Sequence, residues 1–212
     1  MLTKPKTSTT SALAELKREV KATAAPLGGM VGTMWFVELA DTVFFRGGLD
    51  RFGVVPRTLE GLRGILFAPF LHGGFGHLAA NTLPLLVLGF LIMLRRKRDL
   101  LTVSVVSTLV GGLGIWLLGA SNSVHVGASI LVFGYLGYLL ARGVFERRFW
   151  PIVGSVAVFF FYGGALWGVL PGQAGISWEG HLFGLLGGIL AAKLLATPTI
   201  AARERPRAAL PR

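Results

Sequence analysis

The sequence predicts an all-α integral membrane protein, with six transmembrane helices and a membrane-embedded first loop. Three observations carry that prediction. Of the 212 residues, 53% are hydrophobic and only 15% are charged, whereas a soluble domain carries about 25% charged residues. The apolar residues are gathered into uncharged runs, and crossing a hydrocarbon core of about 30 Å takes about 20 of them. The basic residues, which give a formal net charge of +11, fall in short clusters between those runs. That is the pattern of membrane topology rather than of a nucleic-acid surface. Cysteine is absent, which excludes disulfides, thiol catalysis and cysteine-ligated metals.

Taken in order, residues 1–24 are mostly polar, basic and rich in Ser, Thr and Ala. With no signal-peptide pattern, they are expected to form a flexible cytoplasmic extension. The first span is placed around 25–45, where "MWFVELADTVFF" carries Glu38 and Asp41 late in the run; close to a membrane surface they would cost little. Residues 46–76 follow as a connection whose "GILFAPFLHGGFG" is apolar yet broken by glycine and proline. Such a segment is expected in or on the outer leaflet, buried partly against protein. The further spans are "HLAANTLPLLVLGFLIML" (77–94), "LLTVSVVSTLVGGLGIWLLGA" (100–120), "VGASILVFGYLGYLLA" (126–141), "FWPIVGSVAVFFFYGGALWGVL" (149–170) and "EGHLFGLLGGILAAKLLA" (179–196). The membrane domain thus covers 25–197, and 198–212 is a basic cytoplasmic tail.

Lys and Arg set the orientation. Lys4, Lys6, Lys17, Arg18 and Lys21 precede span one; Arg95 to Arg98 follow span two; Arg142, Arg147 and Arg148 follow span four; and Arg203, Arg205, Arg207 and Arg212 lie beyond span six. The other side holds only Arg46, Arg51, Arg57 and Arg63. Both termini are therefore expected in the cytoplasm, and spans two, four and six run inward from the outer side.

That direction brings the polar residues together. His77 and Asn81 are four apart and share a face of span two; Ser129 opens span four and His181 opens span six. Three parallel helices thus hold Ser129, His181, His77 and Asn81 at a similar depth. Span four has 16 residues from Val126 to Ala141, about 24 Å of helix, so its outer end is recessed and Ser129 lies on the order of 10 Å below the surface. Gly180, Gly184 and Gly188 repeat every fourth residue along span six, and with Gly127, Gly134 and Gly137 on span four they permit close helix approach. A Ser129–His181 hydrogen bond is then feasible, and the chemistry it permits is acyl transfer. His181 takes the serine proton, and Asn81, His77 and the Ser129 N–H are the available oxyanion donors. Glu179 falls on a different helix face, so a dyad is expected rather than a triad. His72 is expected to stabilise the first loop, and His125 to be a loop residue.

At these residues the chain resembles the rhomboid family of intramembrane serine proteases, over roughly residues 60–195. The resemblance rests on "HGGFGHLAAN" (72–81), on "GAS" (127–129) and on "GHLFG" (180–184), in that order on spans two, four and six. It implies a rhomboid-like six-helix bundle, Ser129 as nucleophile, His181 as general base, and His77 and Asn81 at the oxyanion site. It also implies transmembrane-protein substrates cut near their outer ends, with no metal or other cofactor. Gly127, Phe133, Gly180 and Gly184 fall at supporting positions. Three positions depart from the family pattern. Ile130 stands where the family usually has glycine, Phe133 where it often has a tyrosine stacked under the histidine, and "LR" (62–63) where it commonly has "WR". Ile130 would either crowd span six or point away from the site.

A serine in a membrane helix can simply bond back to its own backbone, and His77 and Asn81 can act as interhelical glue. The joint coincidence of depth, direction and spacing favours the hydrolase. A different class remains open: a catalytically inactive rhomboid-like protein that binds transmembrane helices. A transporter lacks support, because no matching polar set occupies the inner halves of the spans. The setting expected is a bacterial inner (plasma) membrane, with the site opening outward.

Overall fold

The structure, a computed structural model, describes residues 9–173 and 175–196, with the side chains of 9–20 and 22–24 outside that description. The basic tail expected at 198–212 lies outside the described residues, as do the first eight. Among the described residues the chain forms helices α1 (Thr9–Ala40), α2 (Leu59–Phe67), α3 (Phe75–Met93), α4 (Lys97–Leu118), α5 (Ser129–Glu146), α6 (Phe149–Tyr162) and α7 (Trp178–Leu195). Four stretches are long and apolar enough to cross a membrane: α3, α4, α5, and α6 with its continuation to Val169. The lower hydropathy of α7 follows from its polar ends, with Glu179 and His181 in the opening turns and Lys193 in the last.

Apolar surface is distributed inside out. Phe149, Trp150, Phe160, Phe161 and Trp167 stand exposed along α6 and its extension, which is more apolar surface than a water-soluble monomer tolerates. The interior is formed by α5, most of whose residues are buried; it packs most extensively against α7, and also against α6, α4 and α3. Small residues make the α5–α7 seam. At Gly137 a side chain would collide with the Leu185 carbonyl, and at Gly188 with the Gly134 carbonyl.

One end of the bundle is fastened by charge. Arg95, at the end of α3, meets Asp99 of α4 at 2.7 Å and Glu146 of α5 at 2.9 Å. It also donates to the Leu195 carbonyl at the end of α7, at 3.1 Å. Four helix termini therefore share one guanidinium, which suits a planar, multiply donating group. At the other end begin α3, α5 and α7, the three helices carrying the polar residues.

Glu38 and Asp41 are each 4% exposed, so they face protein rather than a solvated membrane surface. Asp41 accepts the Leu49 N–H at 2.9 Å, which ties the end of α1 to the following 3-10 turn, Gly48–Phe52. The connection between α1 and α3 is built on protein contacts. Thr58 caps α2 by accepting from the Gly61 N–H. The Trp116 indole donates to the Thr58 carbonyl at 2.7 Å, and Arg57 donates to the Leu117 carbonyl at 3.1 Å. Ile65 fills the space left by Gly112 on α4.

Candidate active site

Ser129, His181, His77 and Asn81 line one cavity of about 750 Å³ at the end where α3, α5 and α7 begin. Phe133 lines the same cavity from one turn along α5. Ser129 is the first residue of α5. Its N–H therefore belongs to the first helical turn, whose amides lack intrahelical acceptors and face developing negative charge favourably.

The segment leading to Ser129 is held from two sides. The Gly127 N–H donates to the Ala68 carbonyl at 2.9 Å, and the Ala128 N–H donates to His72 Nε2 at 3.2 Å. Gly127 itself has φ +121° and lies against the His77 ring, where a Cβ would come within 2.6 Å of Cε1. The position thus demands glycine twice over, by conformation and by space. On α3 the Asn81 amide donates to the His77 carbonyl at 3.0 Å, leaving the amide's second N–H for the cavity.

His181 is fixed by two contacts. Its ring stacks on Phe133 at 4.0 Å between centroids, with an 11° interplanar angle. Its Nδ1 lies 3.0 Å from the Gly168 carbonyl. A carbonyl can only accept, so Nδ1 carries the proton and Nε2 is the bare nitrogen. Gly168 belongs to the 3-10 turn Gly163–Val169 that continues α6, and a Cβ there would come within 3.0 Å of both His181 Nδ1 and the Phe133 ring. This orienting group has no side chain, so no sequence motif marked it. Gly180 faces Ile115 and Ser177, and Gly184 faces the backbone of Ile130.

Ile130 points away from the cavity. It is 3% exposed and joins Val54, Ile65, Ala68 and Ile115 in a small core beside α4. Its Cγ2 occupies the space at Gly111, where a Cβ would meet it at 2.5 Å. Of the two placements the sequence allowed, the structure adopts the one that leaves the site clear.

His72 does more than hold its own loop, since through Ala128 it positions the start of α5. Burial, then the neighbouring His77, push its pKa from 6.5 down to about 4, with the Phe70 carbonyl opposing. A depressed histidine contributes stability that is fully present above its unfolded value of 6.5 and is lost as pH falls toward 4. A shift of that size corresponds to about 3 kcal/mol. Thermal unfolding of the parent between pH 7 and pH 4 is expected to show that loss. His72→Gln, which can accept from Ala128 without titrating, is expected to lessen that pH dependence.

His125 was legible only as a loop residue, yet the structure engages both of its ring nitrogens. Nε2 lies 2.8 Å from Ser123 Oγ and Nδ1 lies 2.7 Å from Ser177 Oγ. Its backbone exchanges two hydrogen bonds of 2.9 Å with Val54.

A helical membrane protein with a histidine-lined cavity at one end defines a class. The comparisons with known proteins make the family explicit. The rhomboid domain model matches residues 60–198, and the chain belongs to the rhomboid family. An uncharacterized protein of Mycobacterium tuberculosis is 44% identical over 186 residues, covering 84% of this chain and 77% of its own length. YdcA of Bacillus subtilis, which bears the provisional name of rhomboid protease, is 32% identical over 124 residues, covering 57% of this chain and 60% of its own length. RHOMBOID-like protein 4 of Arabidopsis thaliana is 32% identical over 154 residues, covering 68% of this chain and 36% of its own length.

Proposed function

We propose that this chain is an intramembrane serine endopeptidase that hydrolyses peptide bonds in or near the transmembrane segments of other membrane proteins. The observation that carries this reading is the fixed tautomer of His181 in the cavity it shares with Ser129. A base needs a bare nitrogen and a defined direction. The Gly168 carbonyl and the Phe133 ring supply both, without a carboxylate.

In the reaction, His181 Nε2 takes the proton of Ser129 Oγ as the oxygen attacks the substrate carbonyl. The oxyanion is met by the Ser129 N–H and by the His77 and Asn81 side chains. Collapse transfers the proton from Nε2 to the leaving amine, giving an acyl-serine. A water activated by the same nitrogen then hydrolyses the ester and restores the serine. No metal or other cofactor enters these steps.

In the membrane, α1 and α7 complete a six-crossing bundle around α5. The Arg95–Glu146 end faces the cytoplasm, because Arg95, Arg96, Lys97, Arg98, Arg147 and Arg148 cluster there. The cavity then opens to the outer side, and the segment 46–74 lies at the outer leaflet against α4. A bacterial inner membrane is the setting in which this topology is to be sought.

The test is cleavage of a reporter carrying a single transmembrane segment, co-reconstituted with the protein in liposomes. The parent is expected to cut it, while Ser129→Ala and His181→Ala lose cleavage by at least 10³-fold, the scale on which catalytic dyads act. Cleavage by Ser129→Ala at the parent rate contradicts the proposal.

A further inference from the structure

We infer that His125 is a positioning residue that clasps the loop before Ser129 to the first turn of α7, and so sets the placement of His181. The inference rests on the protease reading for its consequence, but its geometry stands independently. The hydrogen-bond chain has only one consistent direction. Ser123 Oγ donates its single proton to the Ala120 carbonyl at 2.6 Å, so it must accept from His125, and Nε2 carries the imidazole proton. Nδ1 is then an acceptor, and Ser177 Oγ donates to it across 2.7 Å. Ser177 Oγ in turn accepts the Gly180 N–H at 3.3 Å, as the N-cap of α7. The chain therefore runs from Gly180 through Ser177 and His125 to Ser123 and Ala120.

Each link touches the reaction from one side. Gly180 is the residue before His181, and His125 stands four residues before Ser129. The two catalytic segments come from parts of the sequence some fifty residues apart, and the imidazole joins them by side-chain bonds. His125 is itself fixed through its backbone bonds to Val54, and a Cβ at Gly119 would come within 3.1 Å of its Nε2. A rigid support under a catalytic group is what holds it within the small tolerance that catalysis demands. Burial lowers the pKa of His125, with Glu179 on α7 working against the shift; the neutral ring that the chain requires is thus the favoured one.

Isosteric replacements separate the two halves of the clasp. In His125→Asn the side-chain carbonyl sits where Nδ1 was and can accept from Ser177, while the Ser123 bond is lost. In His125→Gln the amide reaches the Nε2 position and keeps Ser123, while the Ser177 bond is lost. The readout is the second-order rate of labelling by a fluorophosphonate probe, with hydrogen exchange of the amides at 178–181 alongside. His125→Asn is expected to label within about threefold of the parent. His125→Gln, His125→Ala and Ser177→Ala are expected to be slower by about tenfold or more, with faster exchange in the first turn of α7. The double variant His125→Ala/Ser177→Ala is expected to be no slower than the slower single, because the two act as one unit.

The inference is overturned if His125→Gln matches the parent while His125→Asn is slow, if the two single effects simply multiply, or if all variants label like the parent. Should the parent itself fail to label, the protease reading fails separately. The clasp is then decided by exchange alone: equal protection of 178–181 in the Asn and Gln variants overturns it. Where His125→Ala does not fold, the Asn and Gln variants and Ser177→Ala carry the same comparison.

Discussion

Gly188→Val is expected to prevent assembly of the bundle, or to destabilise it by more than 3 kcal/mol. The reason lies in what surrounds the missing side chain. A Cβ at Gly188 would overlap the Gly134 carbonyl and come within 2.8 Å of the Tyr138 N, both of them backbone atoms of α5. A flexible neighbour could rotate aside, but two helical backbones can only move apart. Separating them opens the seam along Gly134, Gly137, Gly184 and Gly188, which is the most extensive helix contact among the described residues. Overpacking of an ordinary core costs about 1–3 kcal/mol, and a backbone obstruction at the central interface exceeds that. Thermal unfolding in detergent, with size-exclusion to judge folding, checks it. Gly154→Val on α6, where a Cβ meets nothing within 4 Å, is the control and is expected to unfold close to the parent temperature.

Ile130→Gly is expected to destabilise by about 4 kcal/mol and to leave the protein no more active. Truncating a buried Ile to Ala costs about 2–5 kcal/mol, and glycine in place of alanine inside a helix adds up to about 1. The loss is localised: the Cγ2 that fills the space at Gly111 disappears, and the cluster of Val54, Ile65, Ala68 and Ile115 loses its member from α5. That cluster joins the α1–α3 connection to α4 beside the site. Urea or thermal unfolding gives the stability, and probe labelling of the folded fraction gives the activity. The substitution also bears on the helix-binding alternative. An Ile130 that crowded span six would favour that alternative, so a gain of labelling in Ile130→Gly would support it. With Ile130 packed toward α4, no such gain is expected.

Much of this was legible in the sequence, and the rest was not, for physical reasons. Uncharged runs separated by basic clusters marked the positions of α3 to α7, because a bilayer imposes length and composition on any span, whereas α1 begins at Thr9, inside the segment expected to be a flexible extension, and α2 lies within the expected connection. The common direction of three of them brought His77, Asn81, Ser129 and His181 to one end, and all four line one cavity. The orienting partner of His181 was invisible. It is a main-chain carbonyl, in a turn where "GGALWG" ends α6 early. Arg95 read as one of a basic topology cluster, yet it bridges Asp99 and Glu146; nothing local distinguishes it from Arg96 to Arg98. The destination of Ile130 depended on Gly111, which lies on another helix. Likewise His125 finds Ser177 only once α5 and α7 are packed. Composition and spacing report what a bilayer demands of each helix, whereas pairings between helices become readable only in three dimensions.

The proposed reaction requires that Ser129 be a nucleophile activated by His181. Fluorophosphonate labelling of the purified protein tests it most directly, because the probe requires an activated serine and no knowledge of the substrate. Stoichiometric labelling of the parent at Ser129 is expected, and none in Ser129→Ala or His181→Ala of equal thermal stability. A folded parent that does not label, or labelling that persists in Ser129→Ala, contradicts it.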